Sequence, residues 1–184
     1  LHPTEAYLVV DKINGECFLP GVYHYTPKEH GLELRTEFEL GLWNELIEQL
    51  PHGSFLVGLS SIHWREAWKY GERAFRYCQH DIGHAWAALS ISASMLGWKA
   101  IILNTISDEA IAILLGLNRL NDFEIEEKET PDLLAVIVPL KDTFKSDQSL
   151  KQESIQKIEN GKWFGKANKL NDVYYPWDII DRVS

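Results

Sequence analysis

The sequence predicts an α+β fold. Strand-like alternation fills its first third, and one long amphipathic stretch follows with strand-like runs on both sides. No Gly-x-Gly-x-x-Gly follows any of these strands, which disfavours a parallel dinucleotide-binding sheet.

Glu5 to Lys12 alternates β-branched and aromatic residues and runs into Asn14-Gly15, a dipeptide suited to a turn of positive φ. Gly21 to Tyr25 and Leu32 to Arg35 flank Lys28-Glu29-His30-Gly31, the pattern of an antiparallel hairpin with a longer loop. Leu40, Trp43, Leu46, Ile47 and Leu50 recur at helical spacing until Pro51 and Gly53 stop them, which predicts a helix over 39–49. Phe55 to Ile62 returns to strand. From Glu72 to Leu96 the apolar positions Phe75, Cys78, Ile82, Ala85, Trp86, Leu89, Ala93 and Leu96 step by three and four, so one long helix is expected, ended by Gly97. Its second face carries Gly83, Ala87, Ser90 and Ser94, small enough for another backbone, a partner helix or a flat ligand to approach; burial on two sides is expected. Trp98 to Leu103 reads as a strand, Asp108 to Leu115 as a short helix, and Leu133 to Pro139 as a second buried strand. Lys141 to Asn160 is charged and Ser/Gln-rich, a mobile or marginally helical connector, and the aromatic tail from Trp163 to Ile180 should dock.

A length of 184 residues suits one domain, and 45% apolar with 24% charged residues is a globular composition. The longest apolar runs fall far short of the roughly 20 residues a bilayer requires. A net charge of −9 argues against nucleic acid, whose affinity depends on Lys and Arg displacing counterions, but a local phosphate site stays open. Only Cys17 and Cys78 occur, with no signal peptide, so a cytoplasmic setting is expected and both thiols read as small hydrophobes. The chain opens at Leu1 and enters a strand at once, so an N-terminal segment upstream is expected to be missing.

Three clusters bear on chemistry. His80 and His84 lie four apart on one helix face, and His80-Asp81-Ile82-Gly83-His84 mimics helical zinc-protease spacing. Against that reading, Asp replaces the Glu base, Gly83 is a poor helix residue, and no third ligand follows; satisfied helix histidines are the ordinary alternative. The run from Trp64 to Arg73 concentrates Arg65, Lys69 and Arg73 with Glu66 and Glu72. Lys69 beside Tyr70 offers two proton-transfer groups, and burial or a neighbouring cation would lower the lysine pKa; exposed ion pairs are the alternative. Lys162, Lys166 and Lys169, interleaved with Trp163, Phe164, Gly165 and Asn168, suit an anion or a solvated tail.

Taken together, Leu1-His2-Pro3-Thr4-Glu5-Ala6-Tyr7, Tyr23-His24-Tyr25, the run from Lys69 to Tyr77, and Asp81-Ile82-Gly83-His84 with Leu96-Gly97 resemble the nitroreductase superfamily. Within it the motifs look closest to the azoline dehydrogenases, which oxidise thiazolines and oxazolines. The likeness runs from Leu1 to about Pro139, and the tail from Trp163 to Trp177 looks like tandem nitroreductase-like proteins. The resemblance implies a central, mainly antiparallel sheet flanked by helices, with FMN at a two-fold or pseudo-two-fold interface between domains. It points to His2, Pro3, Glu5 and Arg73 for cofactor binding and to Lys69 and Tyr70 for proton handling, with no metal. The implied activity is hydride transfer through flavin N5, as azoline-type dehydrogenation or as nitro or quinone reduction. The implied partners are a second copy or a tandem pseudo-dimer half, NAD(P)H as donor, and a small-molecule or peptide substrate, with neither nucleic acid nor membrane.

The chain also departs from the family pattern. The family's phosphate-gripping Arg-Ser segment and the Pro-Ser-Gly-Gly ahead of Leu-His-Pro are absent, and Ala87-Ala88 stands where many relatives carry Gln-Asn. A non-catalytic pseudo-dimer partner domain is therefore the alternative function, with the helical metal hydrolase as a remote one.

Overall fold

The computed structural model describes residues 2–11, 19–124, 127–142, 144, 149–169 and 177–184. Leu1, the Asn14-Gly15 turn and Cys17 lie outside the described residues.

Six strands form one sheet in the order β3-β2-β1-β4-β6-β5. They are β1 (Thr4–Val10), β2 (Gly21–Thr26), β3 (Gly31–Glu37), β4 (Phe55–Ser61), β5 (Trp98–Ile102) and β6 (Thr130–Pro139). Every pairing is antiparallel, as the resemblance implied. The helices are α1 (Leu40–Leu46), α2 (Trp64–Tyr70), α3 (Ala74–Met95), α4 (Asp108–Leu115), α5 (Gln152–Glu159) and α6 (Asp178–Val183), with a 3₁₀ turn at Gly71–Arg73.

Alternation along the strands divides the core between the two sheet faces. Leu59, Leu133 and Ala135 meet Ile82 of α3, while Val57 and Ile137 meet Ala93 about three turns further along the helix. The opposite face carries Tyr7, Val9, Val22, Leu56, Leu134 and Val136, covered by Trp43 and Leu46 of α1, Leu114 of α4 and Ile155 and Ile158 of α5. Fully burying an aliphatic side chain of this kind contributes about 1.5–3 kcal/mol. This larger cluster is therefore the main hydrophobic store of the fold.

Two expectations are refined. Within 141–160 the helical alternative holds for Gln152–Glu159, which form α5, and with Ile155 and Ile158 each 1% exposed and Leu150 buried this helix is docked. Its two isoleucines stand three apart and fill one face, while Gln, Lys and Glu solvate the other. The small-residue face of α3 is not buried within this chain: Gly83, Ala87 and Ser94 are exposed, and a Cβ at Gly83 would meet nothing within 4 Å.

The tail docks in its described parts. Trp163 bridges Thr36 and the Phe164 N–H donates to the Arg35 carbonyl at 2.8 Å, covering the open edge of β3. Farther on, Ile180 of α6 packs on Ala67 and Ala74.

Candidate functional site

Period-two alternation aims Glu5 toward the same face as Tyr7 and Val9, placing a carboxylate where its neighbours build a core. Burying such a charge is tolerated only with partners. Arg65, in the first turn of α2, donates from Nη1 to Glu5 and also to the His2 carbonyl at 3.0 Å. Its Nε donates to Glu127 at 3.1 Å. His24 Nε2 lies 2.9 Å from Glu5 Oε2, and its Nδ1 lies 3.2 Å from Glu33. Burial would raise the Glu5 pKa, but the His24 hydrogen bond and the Arg65 charge hold it below the usual carboxylate value. Burial also opposes the charged form of His24, and Glu5 with Glu33 overcomes it, holding the imidazole pKa above normal.

One register step along, Glu129 accepts from the Tyr7 hydroxyl at 2.9 Å and from Ser60 at 2.6 Å. Burial pushes this carboxyl pKa up. Glu5, Tyr7, His24, Arg35 and Glu129 line a cavity of about 260 Å³ closed by Phe123 and the stretch from Phe164 to Asn168. The Arg35 guanidinium fastens that stretch by donating to the Phe164 carbonyl and, at 3.2 Å, to Asp122. Of the expected cofactor residues, only Glu5 lines this cavity. Arg65, His24, Tyr7, Arg35 and Glu129 were not singled out as site residues from sequence. The available signal was a Glu at an inward strand position, which requires buried partners.

The remaining expected residues stand elsewhere. His2 is exposed, while Pro3 is buried and its carbonyl accepts from the Ile62 N–H at 2.7 Å, fixing the start of β1 beside the end of β4. Lys69 is exposed on the last turn of α2, with Nζ 4.9 Å from the Tyr70 ring centroid. The hydrogen bond with Tyr70 raises the Lys69 pKa, so the chain by itself does not supply the lowered value that a base at neutral pH needs. Arg73 is exposed immediately before α3. Lys69 and Arg65 lie one turn apart on the same helix face, so that face runs from the His2 carbonyl outward to solvent. Gly71 closes α2 with φ +58, and a Cβ there would stand 3.1 Å from the Trp177 ring.

The outer face of α3 begins beside this region. Tyr77 (37% exposed), Ile91 (62%) and Met95 (82%) stand out of it, joined by Leu96 (76%) just past its end and by Trp68 of α2 (54%). His80 and His84 are exposed on the same helix, and no group of three or more His, Cys, Asp or Glu among the described residues could hold a metal ion. Cys78 is buried, its thiol pushed up to about 12 by burial and by the nearby Glu66, Asp132 and Asp81 charges. That is an inert structural thiol. No helix among the described residues is long and apolar enough to cross a membrane.

Comparison with solved structures places this arrangement. A protein assigned as a nitroreductase, from Anabaena variabilis, superposes with a TM-score of 0.59 at 25% identity over 77% of this chain. The fold is nitroreductase-like. A chain of the E. coli microcin synthetase McbBCD complex, solved with truncated pro-MccB17 bound, shares this fold with a TM-score of 0.57 at 21% identity, again over 77% of this chain. The chain spans 28% of the first protein's length and 53% of the second's. No protein-family model and no curated protein matches the sequence.

Proposed function

We propose that this nitroreductase-like chain forms one wall of an FMN-dependent oxidoreductase site whose other wall belongs to a second, similarly built unit. The observation that carries this reading is the exposed face of α3, with Gly83 and Ala87 permitting close approach and Ile91, Met95 and Leu96 supplying apolar area. It starts beside the exposed Lys69 and Arg73 and the half-buried Tyr70.

The residues present fit FMN as half of a site. Arg73, an exposed cation immediately before α3, suits the phosphate side. His2 and Pro3 suit the ring, since Pro3 is held firmly against Ile62 and leaves His2 exposed next to it. Glu5 acts one step back: its carboxylate is committed to Arg65 and His24, and through Arg65 it positions the His2 main chain. When bound, FMN supplies hydride transfer through N5. Lys69 and Tyr70 handle the proton. With its pKa raised and its side chain exposed, Lys69 is a proton donor, which suits nitro or quinone reduction. Covering by a second unit would desolvate it and shift it toward the base that azoline dehydrogenation needs. NAD(P)H as donor and a small molecule or peptide as substrate complete the reading, and the peptide-bound microcin synthetase complex supports a multi-subunit setting.

A second reading, a non-catalytic half of a pseudo-dimer, is favoured by the exposed Ala87 and Ala88 of α3, which present no polar side chain where the resemblance expects Gln-Asn. Purifying the full-length protein separates the two. A yellow protein whose flavin band is bleached by NAD(P)H or substrate supports catalysis; a preparation that stays colourless when FMN is supplied supports the partner role.

A further inference from the structure

Among the carboxylates around the cavity lined by Glu5 and His24, all but one pair with a base; on the α3 side of the sheet Glu66 and Asp132 make no ion pair among the described residues either, but they do not line it. Glu5 has Arg65 and His24, Glu127 has Arg65, and Asp122 has Arg35 at 3.2 Å and Arg119 at 3.0 Å. Glu33 at the rim has His24. Glu129 touches no basic side chain among the described residues: its partners are the Tyr7 and Ser60 hydroxyls, and both donate to the same oxygen, Oε2. The other oxygen, Oε1, makes no hydrogen bond among the described residues, although Glu129 is only 8% exposed and lines the 260 Å³ cavity.

We propose that this cavity, on the sheet face opposite α3, binds a small organic cation, an amidinium or ammonium on a flat apolar body, with Glu129 as its counter-ion. A buried carboxylate without a cation is costly, and a positively charged N–H group at Oε1 supplies the missing partner. Phe123 and Phe164 line the same space and offer apolar surface to the body of the ligand. The volume lies just under the roughly 300–1,000 Å³ usual for ligand pockets, so the ligand is small.

An anion is disfavoured because the guanidiniums are already committed: Arg35 to Asp122 and the Phe164 carbonyl, Arg65 to Glu5, Glu127 and the His2 carbonyl. Both nitrogens of His24 face acids, and Lys166 is the exposed cation of the closing stretch. Glu5 and Arg65 serve both this cavity and the His2 main chain, but the proposed cation contact is with Glu129, so the inference does not rest on the flavin reading.

Calorimetric titration with benzamidine and with its neutral isostere benzamide tests the site. Benzamidine should bind the unaltered protein at least about tenfold more tightly than benzamide, the advantage expected of a charge-assisted contact. Glu129→Gln, which can keep both hydroxyl hydrogen bonds, should erase that advantage. Should the variant fail to fold, ring resonances of His24, Phe123 and Phe164 in the unaltered protein should still move with benzamidine. Equal affinity for the two probes, a Glu129→Gln protein with unchanged benzamidine binding, or resonance shifts confined to residues outside the cavity would each overturn the proposal.

Discussion

The ring of Tyr70 meets that of Tyr77 edge to face, with 4.7 Å between centroids. Tyr70 ends α2 with Lys69 Nζ over its ring, whereas Tyr77 belongs to the exposed face of α3, so the pair proposed to handle the proton is braced against the surface proposed to receive a second unit. Whatever covers Tyr77 changes the solvation of Tyr70 and Lys69 as well.

Lys69→Ala is expected to lower turnover by about 10²–10⁴-fold, the usual worth of a positioned acid or base. Because the side chain is exposed, stability should barely change. Flavin content measured beside turnover separates the roles. Equal turnover in the variant would reject the assignment, and a parallel loss of flavin would make Lys69 a binding residue instead.

Ile91→Glu places a charge in the middle of the outer face of α3, at a position 62% exposed within the chain. The fold should survive with unchanged circular dichroism, while light scattering should show the assembly reduced to single units that retain less FMN. An assembly of unaltered mass would move the interface elsewhere.

Stability should vary with pH through the Glu5–His24 pair. Glu5 is held below its ordinary 4.5, so its contribution is complete above that value and fades as pH falls through the folded pKa. His24 is held above its ordinary 6.5, so its contribution is complete below that value and fades as pH rises through the folded pKa. The pair therefore contributes most between 4.5 and 6.5. His24→Gln should remove about 1.5–3 kcal/mol there and flatten the alkaline decline in thermal melts. A decline of the same slope in the variant would place its origin in another group.

Gly116 adopts φ +77, and a Cβ there would stand 2.3 Å from the Trp163 ring. Gly116→Ala is expected to cost about 1–3 kcal/mol through overpacking and to loosen the segment that covers β3. A lower melting temperature with red-shifted tryptophan fluorescence would register both effects; unchanged values would mean that the Trp163 contact contributes little.

Much of the fold was legible because its signals are local. The alternation of Gly21–Thr26 and Gly31–Glu37 and the three-and-four stepping of α3 lie within short windows. The docking of helix α5 escaped because Ile155 and Ile158 are its only apolar side chains, and their burial depends on α1 and α4. The candidate site was legible only in part. Glu5 could be flagged, but Tyr7 and Glu129 are 122 residues apart, and Ser60 and Glu129 are 69 apart, separations that no periodicity encodes. The expected lowering of the Lys69 pKa required burial that this chain alone does not provide.

The central claim, a flavin site completed by a second unit, is tested most directly by titrating FMN against the full-length protein across concentrations spanning its assembly. Quenching of flavin fluorescence should appear together with the assembled species and vanish on dilution to single units. Tight FMN binding by the isolated unit, or none by any assembled form, would contradict it.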